Sequence, residues 1–191
     1  MRCLSCQRLS RHIICSACHA ALFVPTVSRR TVGSLEVVSL FRYSSIEPFL
    51  LTKHTPPGYR LYRYFSKHLV KPFLDDFATH IDTALTVIPV DERVYSGYSH
   101  TALLSHYAGS EKIRIAHGTL RATNPVHYAG RSLAFRLAHP RDFHYSGRAG
   151  IEAILIDDIV TTGVTLQEAQ QTLERHGVEV LFALTLADAR E

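Results

Sequence analysis

The chain has 191 residues, 46% of them hydrophobic and 20% charged, and a formal net charge of +4 with its twelve histidines taken as neutral. That size allows one good-sized domain with a real core plus a small appendage, and the composition excludes a disordered or fibrous chain. No apolar stretch approaches the roughly 18–20 residues of a membrane span and Met1-Arg2-Cys3 opens no leader-like run, so a cytoplasmic protein without membrane insertion is expected.

Residues 1–25 hold every cysteine of the chain, as Cys3-Leu-Ser-Cys6 and Cys15-Ser-Ala-Cys18. The C-x-x-C spacing lets two thiolates of one turn reach a single ion, and two such turns close a tetrahedral zinc site. A closed four-thiolate shell leaves no water position, so the ion would be structural. Disulfides or a thioredoxin-like dithiol are the competing readings, but no leader implies an oxidising compartment and no βα unit surrounds the cysteines. A zinc ribbon ending at Pro25 is therefore expected, with His12 and His19 as exposed polar neighbours.

Residues 27–33, with Arg29-Arg30, read as a polar connector to a second domain at 34–191. Residues 35–43 are strand-like, and a helix runs from Ser44 toward Lys53. After Pro56-Pro57-Gly58, the residues Tyr62, Phe65, Leu69 and Phe73 recur at helical spacing, with a kink at Pro72. The same segment carries Arg60, Arg63, Lys67 and Lys71 along one helical face, with Tyr59 and Tyr64 nearby. A cation stripe can track phosphates and tyrosines can stack on unpaired bases, although a solvated helix face gives the same pattern. Arg8, Arg11, Arg29 and Arg30 could extend that surface. Further strands are expected at 83–90 and 112–116, with a helix at 99–108 between them. Residues 120–150 lack clear periodicity and read as loops with one helix at 131–138.

The most informative segment is Ile154-Leu-Ile-Asp157-Asp158-Ile-Val-Thr161-Thr162-Gly163-Val164-Thr165. An uninterrupted apolar run at 153–156 suits a strand buried on both faces of a parallel sheet, which places Asp157 and Asp158 at the carboxyl edge. The loop that follows can wrap an anion with backbone N–H groups, and Gly163 supplies the positive φ that such a nest needs. Thr165 and Glu168 have the spacing of a capping box, so a helix over 166–176 would aim its positive end at the loop, with Gly177 as its stop. Acids for ribose hydroxyls, and amides and hydroxyls for a phosphate, make this a site for a phosphorylated ribose. A last strand at 178–186 completes a mostly parallel α/β sheet flanked by helices.

This segment resembles the phosphoribosyl pyrophosphate (PRPP) signature of type I phosphoribosyltransferases and matches it at every position. Together with the four-cysteine ribbon, it makes the chain similar to the ComF family of competence proteins, most nearly the ComFC type. Tyr43, Lys53, Ile88-Pro89-Val90, Gly97-Tyr98, Leu120-Arg121 and Asp157-Asp158 fall in the order that family shows. The resemblance implies a cytoplasmic protein of natural transformation that binds incoming single-stranded DNA, works beside other DNA-uptake proteins, and keeps a pocket for PRPP or ribose 5-phosphate. It also implies Mg²⁺ with bound PRPP.

Where many relatives carry R-G-F-N-Q, this chain has Ser96-Gly97-Tyr98-Ser99-His100, which removes a cation from the pyrophosphate loop. No base-recognising hood is expected past the last strand. Transfer to a base is accordingly not expected, and no catalytic residue is assigned. The alternative is an active transferase of nucleotide salvage, in which Asp157 and Asp158 stabilise the ribose centre, and a ligand-gated regulator is a third reading.

Overall fold

The computed structural model describes residues 1–90, 97–126, 128 and 130–190. Its centre is a six-stranded sheet in the order β1-β2-β8-β7-β3-β4, built from β1 (Ser28–Val32), β2 (Leu35–Arg42), β3 (Leu85–Pro89), β4 (Ile113–Ile115), β7 (Ile151–Val160) and β8 (Val178–Asp188). Every described pairing in this sheet is parallel except that of β1 with β2. Strands that alternate with helices along the chain have to pair this way, because each crossover returns the chain to the same edge. All five residues of β3 are buried, as the apolar run at its heart requires.

One face is covered by α2 (Tyr43–Leu50), α3 (Pro56–Phe65), α4 (Lys71–Thr79) and α5 (His100–Ser105), whose Ile46, Leu61, Tyr62, Phe65 and Leu74 pack against Leu40, Ile154, Ile156 and Leu184. The opposite face is covered by α7 (Val164–Arg175) and the separate antiparallel pair β5 (Leu120–Ala122) and β6 (Phe143–Tyr145). There Leu166, Ala169, Leu173, Leu120 and Phe143 pack against Val37, Ile88, Leu155 and Ala183. A short helix α6 (Leu133–Ala138) buries none of its residues.

The ribbon shares the first of these cores. Its helix α1 (Ser16–Leu22) ends at Phe23, which is buried with its ring 4.9 Å from Phe49 and 5.4 Å from Phe65, and Ile14 joins the same cluster.

Helix α3 starts where the Thr55 hydroxyl accepts the Gly58 N–H at 3.2 Å, with Pro56 and Pro57 in the first turn, where no N–H is needed. The kink expected at Pro72 is present as a π turn at Ser66–Val70, where the Lys71 N–H reaches back to the Ser66 carbonyl. Pro72 lacks an N–H and its ring crowds the carbonyl four residues earlier, so the helix widens one turn ahead of it.

Four local readings are corrected. The connector at 27–33 is largely β1, because Val32 packs into the second core and Arg30 is drawn to Asp188 at 2.6 Å. The stretch at 120–150 contains the β5–β6 hairpin, each strand only three residues long and too short to show a period. The signature strand does not stop at the acids but runs on to Val160, held by pairing with β8 through Val160 and Asp188. The capping box does not form: α7 begins at Val164 after Gly163, at φ 83°, and Thr165 lies inside the helix.

Replacing Phe23 by Ala is expected to cost about 3–5 kcal/mol, since the ring is fully enclosed by other aromatics. Chemical denaturation followed by circular dichroism checks this. An unchanged midpoint would mean that the ribbon contributes nothing to the shared core.

Candidate metal, phosphate and nucleic-acid sites

The four cysteines lie together at the base of the ribbon, and their sulfurs all fall within 4.8 Å of one another. Cys6 and Cys15 sulfurs are 3.8 Å apart, the spacing of about 3.8 Å that a tetrahedron with zinc–sulfur bonds near 2.3 Å produces. The Cys15 N–H points at the Cys3 sulfur and the Cys18 N–H at the Cys15 sulfur, as in turns that present thiolates to one ion. Burial raises the Cys3 thiol, but the backbone N–H groups of Cys6, Cys15 and Ser5 outweigh it and bring it to about 6. Cys18, which Ser5 alone would lower, is pushed up to about 11 by its thiol neighbours Cys15 and Cys6. Thiols this close cannot all ionise without a cation among them, so the cluster fits a four-thiolate metal site.

The two acids of the signature are placed differently. Consecutive strand residues point to opposite faces. Asp158 therefore turns into the first core, where it is 4% exposed, while the half-buried Asp157 borders the loop. The Asp158 carboxylate accepts from the Lys53 ammonium at 3.1 Å and the buried Tyr62 hydroxyl at 3.2 Å, and His100 Nε2 stands 3.7 Å away. Burial raises the Asp158 carboxyl, but His100, Lys53 and the two hydrogen bonds overcome it and hold it at about 2. The same burial, with Asp158 beside it, raises the Tyr62 phenol well above its usual value and keeps it a donor. His100, Asp157 and Asp158 bring ligand atoms within 4.8 Å of one another, yet the Lys53 ammonium already sits on Asp158 and opposes a second cation there.

The loop from Thr161 to Thr165 is the turn between β7 and α7. Gly163 is required twice, by its φ of 83° and by packing: an added Cβ would lie 2.3 Å from a methyl of Val32. The Thr161 carbonyl accepts from Arg30 at 2.6 Å and its hydroxyl from Arg136 at 2.6 Å. The Thr162 hydroxyl oxygen is shielded from solvent and, among the described residues, has no hydrogen-bond partner. Glu168, free of the capping role, instead accepts the N–H groups of Arg141 and Asp142 at 2.9 and 2.7 Å and ties the segment after α6 to α7. Tyr128 is buried beneath Arg141 and Arg136, 4.4 and 5.5 Å from its ring centre. Arg136 and Arg30 were not legible as site residues, because nothing local links positions so far along the chain from the loop.

Arg60, Arg63 and Lys67 line a groove of about 290 Å³ between α3 and the ribbon, joined by Arg11, His12 and Tyr107. Arg63 donates to the Tyr107 hydroxyl and lies 5.6 Å from the centre of the Tyr59 ring and 5.3 Å from that of Tyr107. Burial first, then the neighbouring His19, Lys67 and His12 side chains, lowers the His68 imidazole. Lys71 does not join them. It pairs with Asp75 at 2.9 Å, because the π turn rotates everything after residue 70 out of line with the stripe. Arg29 is likewise engaged, with Glu36 at 2.6 Å. Tyr98 connects groove and acid cluster: its hydroxyl donates to the carbonyls of Lys53 and Thr55, and its ring is 5.5 Å from Tyr59. Ser96 and Tyr95 lie outside the described residues.

No protein-family model matches this chain, and no curated protein matches it. Among solved structures it is similar to a hypoxanthine phosphoribosyltransferase from Staphylococcus aureus, at 17% identity and a TM-score of 0.41 over 66% of this chain and 62% of that one. It is also similar to an adenine phosphoribosyltransferase from Saccharomyces cerevisiae, at 12% identity and 0.43 over 88% and 86%. An orotate phosphoribosyltransferase from Mycobacterium tuberculosis gives 15% identity and 0.41 over 88% and 81%. The chain thus spans less than two thirds of the Staphylococcus aureus enzyme.

The Asp158 cluster makes stability depend on pH in a defined direction. A carboxyl held at about 2 in the fold against about 3.9 unfolded contributes its full stabilisation, roughly 2–3 kcal/mol, above about pH 5 and loses it as pH falls toward 2. Lys53→Met leaves a buried carboxylate short of its cation. It should destabilise by about 3–5 kcal/mol and move acid unfolding to higher pH, read by circular dichroism against pH.

Proposed function

We propose that this chain is a competence-type protein of the ComF kind: it binds incoming single-stranded DNA and carries a pocket for PRPP or ribose 5-phosphate. The observation that carries the DNA half is the groove, where Arg11, Arg60, Arg63 and Lys67 stand among Tyr59, Tyr64 and Tyr107. Cations at the rim meet phosphates, and exposed ring faces meet unpaired bases, which duplex DNA does not offer. The pocket half is supported by the Thr161–Thr165 loop at the start of α7, with its unpartnered Thr162 hydroxyl.

In that pocket the loop amides and hydroxyls of Thr161, Thr162, Val164 and Thr165 hold the 5′-phosphate, and Asp157 takes the ribose hydroxyls. Asp158 positions the strand and lowers the cost of Asp157 remaining charged beside a bound sugar, because its own charge is already neutralised by Lys53. Mg²⁺ arriving with PRPP suits the oxygen of Asp157, as hard cations prefer, and would neutralise pyrophosphate. Zinc in Cys3, Cys6, Cys15 and Cys18 holds the ribbon wall of the groove. In the loop before α5 Ser96 stands where many proteins of the ComF kind carry an arginine, so pyrophosphate release driven by a base is not expected.

Three measurements bear on this reading. Metal analysis should give one zinc per chain, and Cys6→Ser should abolish it and weaken DNA binding together, since ribbon and groove share a wall. In anisotropy titrations single strands should bind more tightly than duplex, with affinity falling as salt rises at about 0.7 ions released per phosphate contact. Arg63→Glu with Lys67→Glu should reduce both affinity and salt slope while leaving PRPP binding intact; equal binding by the double variant would place the DNA elsewhere. Sustained base-dependent pyrophosphate release would favour the salvage transferase instead.

A further inference from the structure

The loop that this reading assigns to the phosphate is already partly filled. The Arg136 guanidinium reaches it from α6, on a separate segment of chain, and donates Nη1 to the Thr161 hydroxyl at 2.6 Å. It also donates to backbone carbonyls, from Nη2 to Tyr128 at 3.1 Å and from Nε to Arg131 at 3.2 Å. The guanidinium is therefore oriented from behind, with the Tyr128 ring beneath it at 5.5 Å.

The space left among Arg136, Asp157 and residues 159–166 is about 20 Å³, which holds about one water. A phosphate group cannot enter unless Arg136 yields. What makes yielding easy is the way α6 is attached: none of its residues is buried, and Leu133 and Leu137 are 50% and 63% exposed. It is fastened at and behind its C-terminal end, by the Tyr128 hydroxyl on the Arg136 and His139 carbonyls at 3.2 and 2.6 Å and by Glu168 on the N–H groups of Arg141 and Asp142.

We infer that Arg136 is the phosphate-selecting residue of this loop: it occupies the cradle in the free chain and, when a phosphomonoester arrives, exchanges the Thr161 hydroxyl for phosphate oxygens. The inference rests on the loop being the phosphate site. The chemistry favours the exchange, since a guanidinium bonded to a neutral hydroxyl gains a charge-assisted pair with a dianion. The Thr161 hydroxyl is then released to the ligand. A neutral sugar offers no such compensation and would leave Arg136 where it is, so the device discriminates a phosphorylated ribose from ribose itself.

Calorimetric titration with inorganic phosphate, ribose 5-phosphate and ribose tests this on the full zinc-loaded chain. Arg136→Ala should weaken both phosphate ligands by about 10- to 100-fold, the range of a hydrogen bond to a charged group. Arg136→Lys should recover only part, because an ammonium lacks the planar fork. Asp157→Ala should weaken ribose 5-phosphate but leave inorganic phosphate unchanged. Unchanged or tighter phosphate binding in Arg136→Ala, with thermal unfolding as in the parent, would overturn the inference and make Arg136 a mere plug. A parent chain that binds neither phosphate ligand would overturn the loop assignment and the inference together. Loss of binding in Asp157→Ala with none in Arg136→Ala would overturn the inference alone.

Discussion

A carboxylate buried in the sheet and neutralised from the neighbouring helices is the constraint on which the arrangement of this chain depends. Asp158 is supplied by β7, Lys53 by the turn between α2 and α3, Tyr62 by α3 and His100 by α5. A single buried negative charge thereby ties four elements to one point. Removing either sign leaves the other stranded in a low-dielectric interior, so the cluster fixes geometry more than it adds stability. Because Lys53 is bound there, the carbonyls of Lys53 and Thr55 are positioned to receive Tyr98, and Tyr98 stands against Tyr59 at the edge of the groove. The acid cluster and the basic groove are thus two sides of one rigid corner.

Placing two acids in succession on a continuing strand assigns them different surroundings. Asp158 faces the helices and is consumed by them, while Asp157 faces the loop. The loop in turn depends on contacts from distant positions. Val32 of β1 presses on Gly163, Arg30 of the same strand holds the Thr161 carbonyl, and Glu168 of α7 fastens the segment behind α6. An edge strand that adds little area to the sheet is in this way what shapes the turn.

Much of this was legible in the sequence wherever the signal is local. The alternating strands and helices, the C-x-x-C pairs and the Asp-Asp-Ile-Val-Thr-Thr-Gly run state their own geometry, and the helix around Tyr62 follows from apolar period. The capping box failed because Gly163 at positive φ starts α7 one residue before Thr165 and leaves Glu168 facing the Arg141 backbone. The cation stripe was legible as far as Lys67 and not at Lys71, since the period assumed an uninterrupted α-helix and the π turn shifted the phase. Arg136 and Tyr107 carried no signal, and Arg30 read only as a surface cation. Each acquires its place through a partner tens of residues away, and only tertiary packing brings the pair together.

The sheet order also has a consequence in time. β2 is made long before β8, its parallel neighbour, and the buried hydroxyl pair Ser39 and Thr185, 2.7 Å apart, is separated by 146 residues. Closing so long a loop is entropically slow, and the edge of β2 that β8 will cover stays unpaired until the chain has grown past residue 178. During synthesis the β1–β2 hairpin and the ribbon can form early, while the half of the sheet bearing Asp158 has no finished scaffold. The N-terminal third of the chain emerges as a folded hairpin with one exposed pairing edge, a species that has to be kept from joining the wrong strand until its own arrives.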